Sequence, residues 1–79
     1  MECFICKSKA NEVTPSGDYK QLACPECGEY KISGTATKAI ENKRLIFDIQ
    51  RSREWLNSFL GTGQIPLIDE GKALGLQKL

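Results

Sequence analysis

Apolar and polar positions change their rhythm near the middle of the chain. Up to Ser33 the texture is short and alternating. Asn11-Glu12-Val13-Thr14-Pro15 reads as a short strand, Ser16-Gly17-Asp18 as a turn, and Tyr19 to Ala23 as a second strand. Past Cys27-Gly28, Tyr30 and Ile32 alternate with Glu29, Lys31 and Ser33, which predicts a third strand with one covered face. Consecutive short strands of this kind make a small antiparallel ribbon.

From Gly34 helix formers take over, with Thr35 or Thr37 as the candidate N-cap ahead of Lys38-Ala39-Ile40-Glu41. Leu45, Ile49, Leu56, Phe59 and Leu60, flanked by Trp55, fall on one side at about 100° per residue. Arg44, Gln50, Arg51, Arg53, Glu54 and Asn57 fall largely elsewhere. The spacing predicts one long amphipathic helix of about 17 residues. Phe47 sits off that stripe, on the side Ile40 would share in a continuous helix; a break near Asn42 and a second apolar contact each account for it. Gly61-Thr62-Gly63 ends the helix. Ile65-Pro66-Leu67-Ile68 is extended, because the residue before proline is pushed out of helical angles. Asp69 is then the candidate N-cap of a short last helix carrying Ala73, Leu74 and Leu79, which Gly71 and Gly75 weaken by about 1 kcal/mol each relative to alanine. The expected fold is a small α+β domain. An N-terminal three-stranded antiparallel ribbon spans residues 1–36, and a helical extension over residues 37–79 packs on it.

At 79 residues the chain is short enough to need a staple. Domains under roughly 70–80 residues rarely hold together on an apolar core alone. No stretch reaches the ~18–20 apolar residues that span a bilayer, and the start, Met-Glu-Cys, has no basic segment followed by an apolar one. A cytoplasmic protein is expected.

The staple is visible in the cysteines. Cys3-Phe4-Ile5-Cys6 and Cys24-Pro25-Glu26-Cys27-Gly28 each place two residues between sulfurs, and none of the four cysteines follows Cys27. A two-residue spacing lets a tight turn aim both sulfurs at one point, and a hairpin of about 15–20 residues brings two such turns face to face. Gly28 supplies a position free to take positive φ; Lys7 holds the equivalent place in the first turn. Paired spacing in a cytosolic chain favours a metal over two disulfides. A thioredoxin-like role needs a strand-to-helix junction that neither pair has.

These residues resemble the zinc-ribbon, or rubredoxin-knuckle, family, whose knuckles often read Cys-Pro-x-Cys-Gly as Cys24 to Gly28 do. The likeness covers residues 3–34. The run from Cys24 to Ala36 is also similar to N-terminal zinc-binding segments of uncharacterised bacterial and prophage proteins, in which an amphipathic helix and often a larger domain follow. The resemblance implies one structural Zn2+ held by Cys3, Cys6, Cys24 and Cys27, within a module that carries no reaction. Iron satisfies the same four-sulfur geometry.

Four protein thiolates close a zinc shell and leave no place for a reacting water. The chain has no histidine, so the commonest general base is missing as well. The expectation is a binding protein with neither an enzymatic activity nor a small-molecule substrate. Two partner classes compete. For a protein partner or self-association, the helix offers Phe47, Arg51, Arg53 and Trp55, with tryptophan and arginine enriched at interface hot spots. Core packing is expected to claim most of the apolar stripe, leaving Phe47, Ile46 and Ile40 as surface candidates. For nucleic acid, the helix over residues 38–53 offers Lys38, Lys43, Arg44, Arg51 and Arg53. Glu41 and Asp48 interleave with them and Glu54 follows, and the whole chain is only +1. With a divalent ion on four thiolates the net charge falls to about −1, and the residual positive charge lies in the second half.

Overall fold

The computed structural model describes residues 2–13 and 19–78. Thr14, Pro15, the expected turn Ser16-Gly17-Asp18, and Leu79 lie outside the described residues. Strand β1 (Asn11–Val13) pairs antiparallel with β2 (Tyr19–Cys24), and β2 pairs antiparallel with β3 (Gly28–Ser33). Alternation sets the two faces. Leu22 lies opposite Tyr30 and both are buried, together with Cys24 and Ile32. The other face is polar: Gln21 bonds Glu29, and the Lys31 ammonium lies 4.9 Å from the Tyr19 ring centroid.

The ribbon has a fourth strand that the sequence reading did not foresee. β4 (Leu67–Ile68) runs parallel to β3, with Ile68 beside Ile32, so the sheet is mixed and four-stranded in the order β1-β2-β3-β4. The residues expected to be merely extended are drawn onto the sheet because Ile68 buries fully and the Pro66 carbonyl accepts the Lys31 N–H at 2.8 Å. Proline lacks a donor, which suits it to this first position beside an edge strand.

One long helix was expected and two are present. α1 (Gly34–Lys43) begins directly from β3. Its N-cap is Ser33, whose Oγ accepts the Ala36 N–H at 3.1 Å, rather than Thr35 or Thr37. Thr37 instead donates its hydroxyl to the Ser33 carbonyl. At the other end Arg44 adopts φ 50°, and the Leu45 N–H reaches back to the Ile40 carbonyl at 3.0 Å, which closes the helix. The chain then turns inward at Leu45 and Phe47 before α2 (Ile49–Asn57), capped by Asp48 through the Arg51 N–H.

This break redistributes the apolar stripe. Phe47 and Ile40, both expected at the surface, are buried; Phe47 is 2% exposed. It forms an isolated bridge with Gln77, flanked by Asp48 N–H to Leu76 and Lys78 N–H to Ile46 bonds. Conversely Leu60, 76% exposed, and Ile49 leave the core, because α2 turns only Ser52 and Leu56 fully inward. Tight turns follow α2 from Ser58 to Gly63. Asp69 caps α3 (Glu70–Gly75) as expected, accepting the Lys72 N–H at 2.7 Å, and Ala73 and Leu76 enter the core. The core joins residues from the ribbon and from the helical part, including Ile5, Leu22, Tyr30, Phe47, Leu56 and Ile68. Among the described residues no helix is long and apolar enough to cross a membrane.

Candidate metal centre

The two knuckles are built alike. In the first, the Cys3 N–H donates to the Ser8 carbonyl at 2.8 Å and the Lys7 N–H to the Cys3 carbonyl at 3.1 Å, while Lys7 takes φ 66°. In the second, Cys24 pairs with Gly28 in the β2–β3 ladder, and Gly28 takes φ 104°. Positive φ reverses the chain sharply enough to point both sulfurs of a knuckle the same way. Glycine does so without a Cβ penalty; at Lys7 the same turn is made against one. Backbone donors aim inward at the sulfurs, with Ile5 N–H to Cys3 Sγ and Cys27 N–H to Cys24 Sγ both at 3.4 Å.

The result is that the four sulfurs of Cys3, Cys6, Cys24 and Cys27 lie within 4.8 Å of one another. Sulfurs at the corners of a tetrahedron around zinc stand about 3.8 Å apart, from a Zn–S bond of about 2.3 Å. The Cys6–Cys24 separation of 3.5 Å fits that edge and is far beyond an S–S bond of about 2.05 Å. All four cysteines are free. A site of four sulfurs with no oxygen or nitrogen donor suits a soft divalent ion.

Two side chains from outside the knuckles complete the surroundings, and neither was singled out from sequence for this purpose. Tyr30, fully buried on β3, accepts the Phe4 N–H at 3.0 Å and lies 3.3 Å from Cys3 Sγ. Burial and then the contact with Cys3 push its phenol pKa up, so the hydroxyl keeps its proton beside the sulfur. Arg53 on α2 donates Nε–H to Cys27 Sγ at 3.4 Å. That bond, foremost, pushes the guanidinium's pKa up from its already high ordinary value. Tyr30 had a signal in the strand alternation. Arg53 had none, because the cysteine spacing says nothing about a helix that starts more than twenty residues later.

The thiols differ electrostatically. Burial pushes Cys24 and Cys27 up, the latter against the opposing Arg53 bond. Burial also raises Cys6, but hydrogen bonds from the Ser8 backbone and hydroxyl and from the neighbouring thiols outweigh it and bring it to about 6. Cys6 is also the one ligand candidate that is not fully buried.

Comparison of the chain with protein-family models, with curated proteins and with solved structures finds no match. The cysteine cluster stands on its own geometry.

The residues expected to meet a partner do not form one surface. Phe47 is in the core, as described. Arg51 donates to the Gly75 carbonyl at 2.8 Å, tying α2 to α3. Arg53 points at Cys27. Trp55 is half-buried, edge-to-face with Phe59 at 5.2 Å, with the Lys72 ammonium 5.0 Å from its ring centroid. The basic residues Lys38, Lys43, Arg44, Arg51 and Arg53 are likewise split between two helices by the turn at Arg44.

Proposed function

We propose that the chain is a zinc-binding module in which Cys3, Cys6, Cys24 and Cys27 hold one structural ion, and which acts through protein–protein contact. The single observation that carries the metal reading is the convergence of four free sulfurs from two matched knuckles. Zinc is preferred over iron because it forms closed four-thiolate sites without redox demands. Four thiolates fill its coordination shell, so the ion organises the fold and the module carries no reaction. Exposed apolar side chains support the protein-contact reading: Ile46, Ile49, Leu60 and Leu67 are at the surface. Two of the five basic residues that a polyanion would use, Arg51 and Arg53, already bond within the chain. We place the module in the cytoplasm, where thiols stay reduced.

Metal analysis of protein purified under reducing conditions tests the first half. One equivalent of zinc per chain is expected, and cobalt substitution should give the intense visible bands of a tetrahedral thiolate site. Titration with short duplex and single-stranded DNA and RNA at two salt concentrations tests the second. A concentration-dependent mass without nucleic-acid binding supports protein contact; affinity for nucleic acid that falls steeply with salt contradicts it.

A further inference from the structure

We infer that Arg53 is an outer-sphere positioning residue of the metal centre, coupling ion retention to the docking of α2; this rests on the metal reading above. A divalent ion on four thiolates leaves a net charge of −2 in a largely buried site. The knuckles answer it with backbone dipoles, whereas Arg53, a half-buried residue whose Nε lies 3.4 Å from Cys27 Sγ, brings a full positive charge. A hydrogen bond to an ionised acceptor is about twice as strong as a neutral one.

The fold explains why Arg53 reaches this sulfur. β3 starts immediately after Cys27, and α2 packs on β3. Ser52 and Leu56, one turn apart, face inward, and Arg53 stands next to Ser52 at the edge of that contact. From there its Nε–H reaches Cys27 Sγ. The bond spans 26 residues of sequence and joins the ribbon to a helix that contributes no cysteine. By reciprocity, whatever α2 docking adds to ion retention, the ion adds to α2 docking.

The test compares the full chain with Arg53→Gln and Arg53→Lys. Metal content comes first, then zinc transfer to a chromophoric chelator, then the reduction potential of the iron-loaded proteins. Arg53→Gln should lose zinc about 10- to 100-fold faster, as removal of outer-shell partners generally does. Its iron form should shift to a more negative potential, since hydrogen bonds and charge at the sulfurs set that value. Arg53→Lys should restore part of both. Loading the wild-type protein with a magnetic cadmium isotope adds a readout that needs no variant: the Arg53 Nε–H proton should couple to the metal through Cys27 Sγ. Absence of that coupling overturns the inference, as does an Arg53→Gln protein with wild-type zinc loss and potential. Faster zinc loss with an unmoved potential also overturns it, because packing alone would do that. If the wild-type protein holds no ion, the functional reading falls with it; if it holds one equivalent and only the Arg53 results fail, the metal reading stands.

Discussion

The Tyr30 hydroxyl serves two groups at once, accepting the Phe4 N–H at 3.0 Å and facing Cys3 Sγ at 3.3 Å. Both groups belong to the first knuckle, whereas Tyr30 lies on the strand that follows the second. This one oxygen therefore fixes the first knuckle against the sheet. Tyr30→Phe removes it and leaves the part-buried Phe4 N–H without that partner, which costs about 1 kcal/mol. Denaturant unfolding of the loaded protein should show that loss, with faster zinc transfer. An unchanged midpoint would mean that Tyr30 only fills space.

The knuckle turns predict opposite responses to glycine. Lys7 at φ 66° strains an L-residue, so Lys7→Gly should stabilise by about 0.5–1 kcal/mol despite the added chain entropy. Gly28→Ala should destabilise by about 1–2 kcal/mol. A Cβ there would meet nothing within 4 Å, so the cost is backbone strain at φ 104° and not a clash. Matched thermal melts check both. Two changes of the same sign would contradict the equivalence of the two turns.

Neighbouring residues at the helix break test where the core runs. Phe47, 2% exposed, should cost about 3–5 kcal/mol on replacement by alanine. Ile46, 63% exposed, should cost no more than about 0.5 kcal/mol. Equal effects in urea unfolding would put Phe47 back on the surface, where the apolar stripe had placed it.

Much of the site was legible because cysteine spacing encodes its own geometry, and Gly28 marked the second turn in the sequence. Asp69 was legible as a cap because an acidic residue followed an extended run. The break at Arg44 was legible only as one of two open accounts of Phe47, a break near Asn42 or a second apolar contact, since the residue that takes the left-handed turn is an arginine instead of glycine or asparagine. Without that break, Leu45 and Leu60 read as one stripe, and Phe47 reads as an outlier when it is a core residue. β4 escaped notice because two residues carry too little alternation to register. Arg53 read as an interface residue by type alone; only its docking beside Cys27 shows where its charge goes.

Ion binding should depend on pH in a fixed direction. Bound sulfurs are thiolates, so the loaded fold carries fewer protons than the unfolded chain, and its stability rises with pH. The effect is fully present above the ordinary thiol value of 9.0 and is lost as pH falls. Chelator competition at pH 6, 7 and 8 should show apparent zinc affinity falling by about tenfold or more per unit of acidification. A flat profile would contradict thiolate ligation.

The central claim is that one ion holds this small chain together, contributing on the order of 10–16 kcal/mol where an apolar core of this size nets only a few. The most direct measurement follows metal content and circular dichroism together as a strong chelator is added to protein purified under reducing conditions. One equivalent of zinc per chain should be removed in step with the loss of sheet and helix signal. A chain with well under one equivalent that keeps its full spectrum would contradict the account.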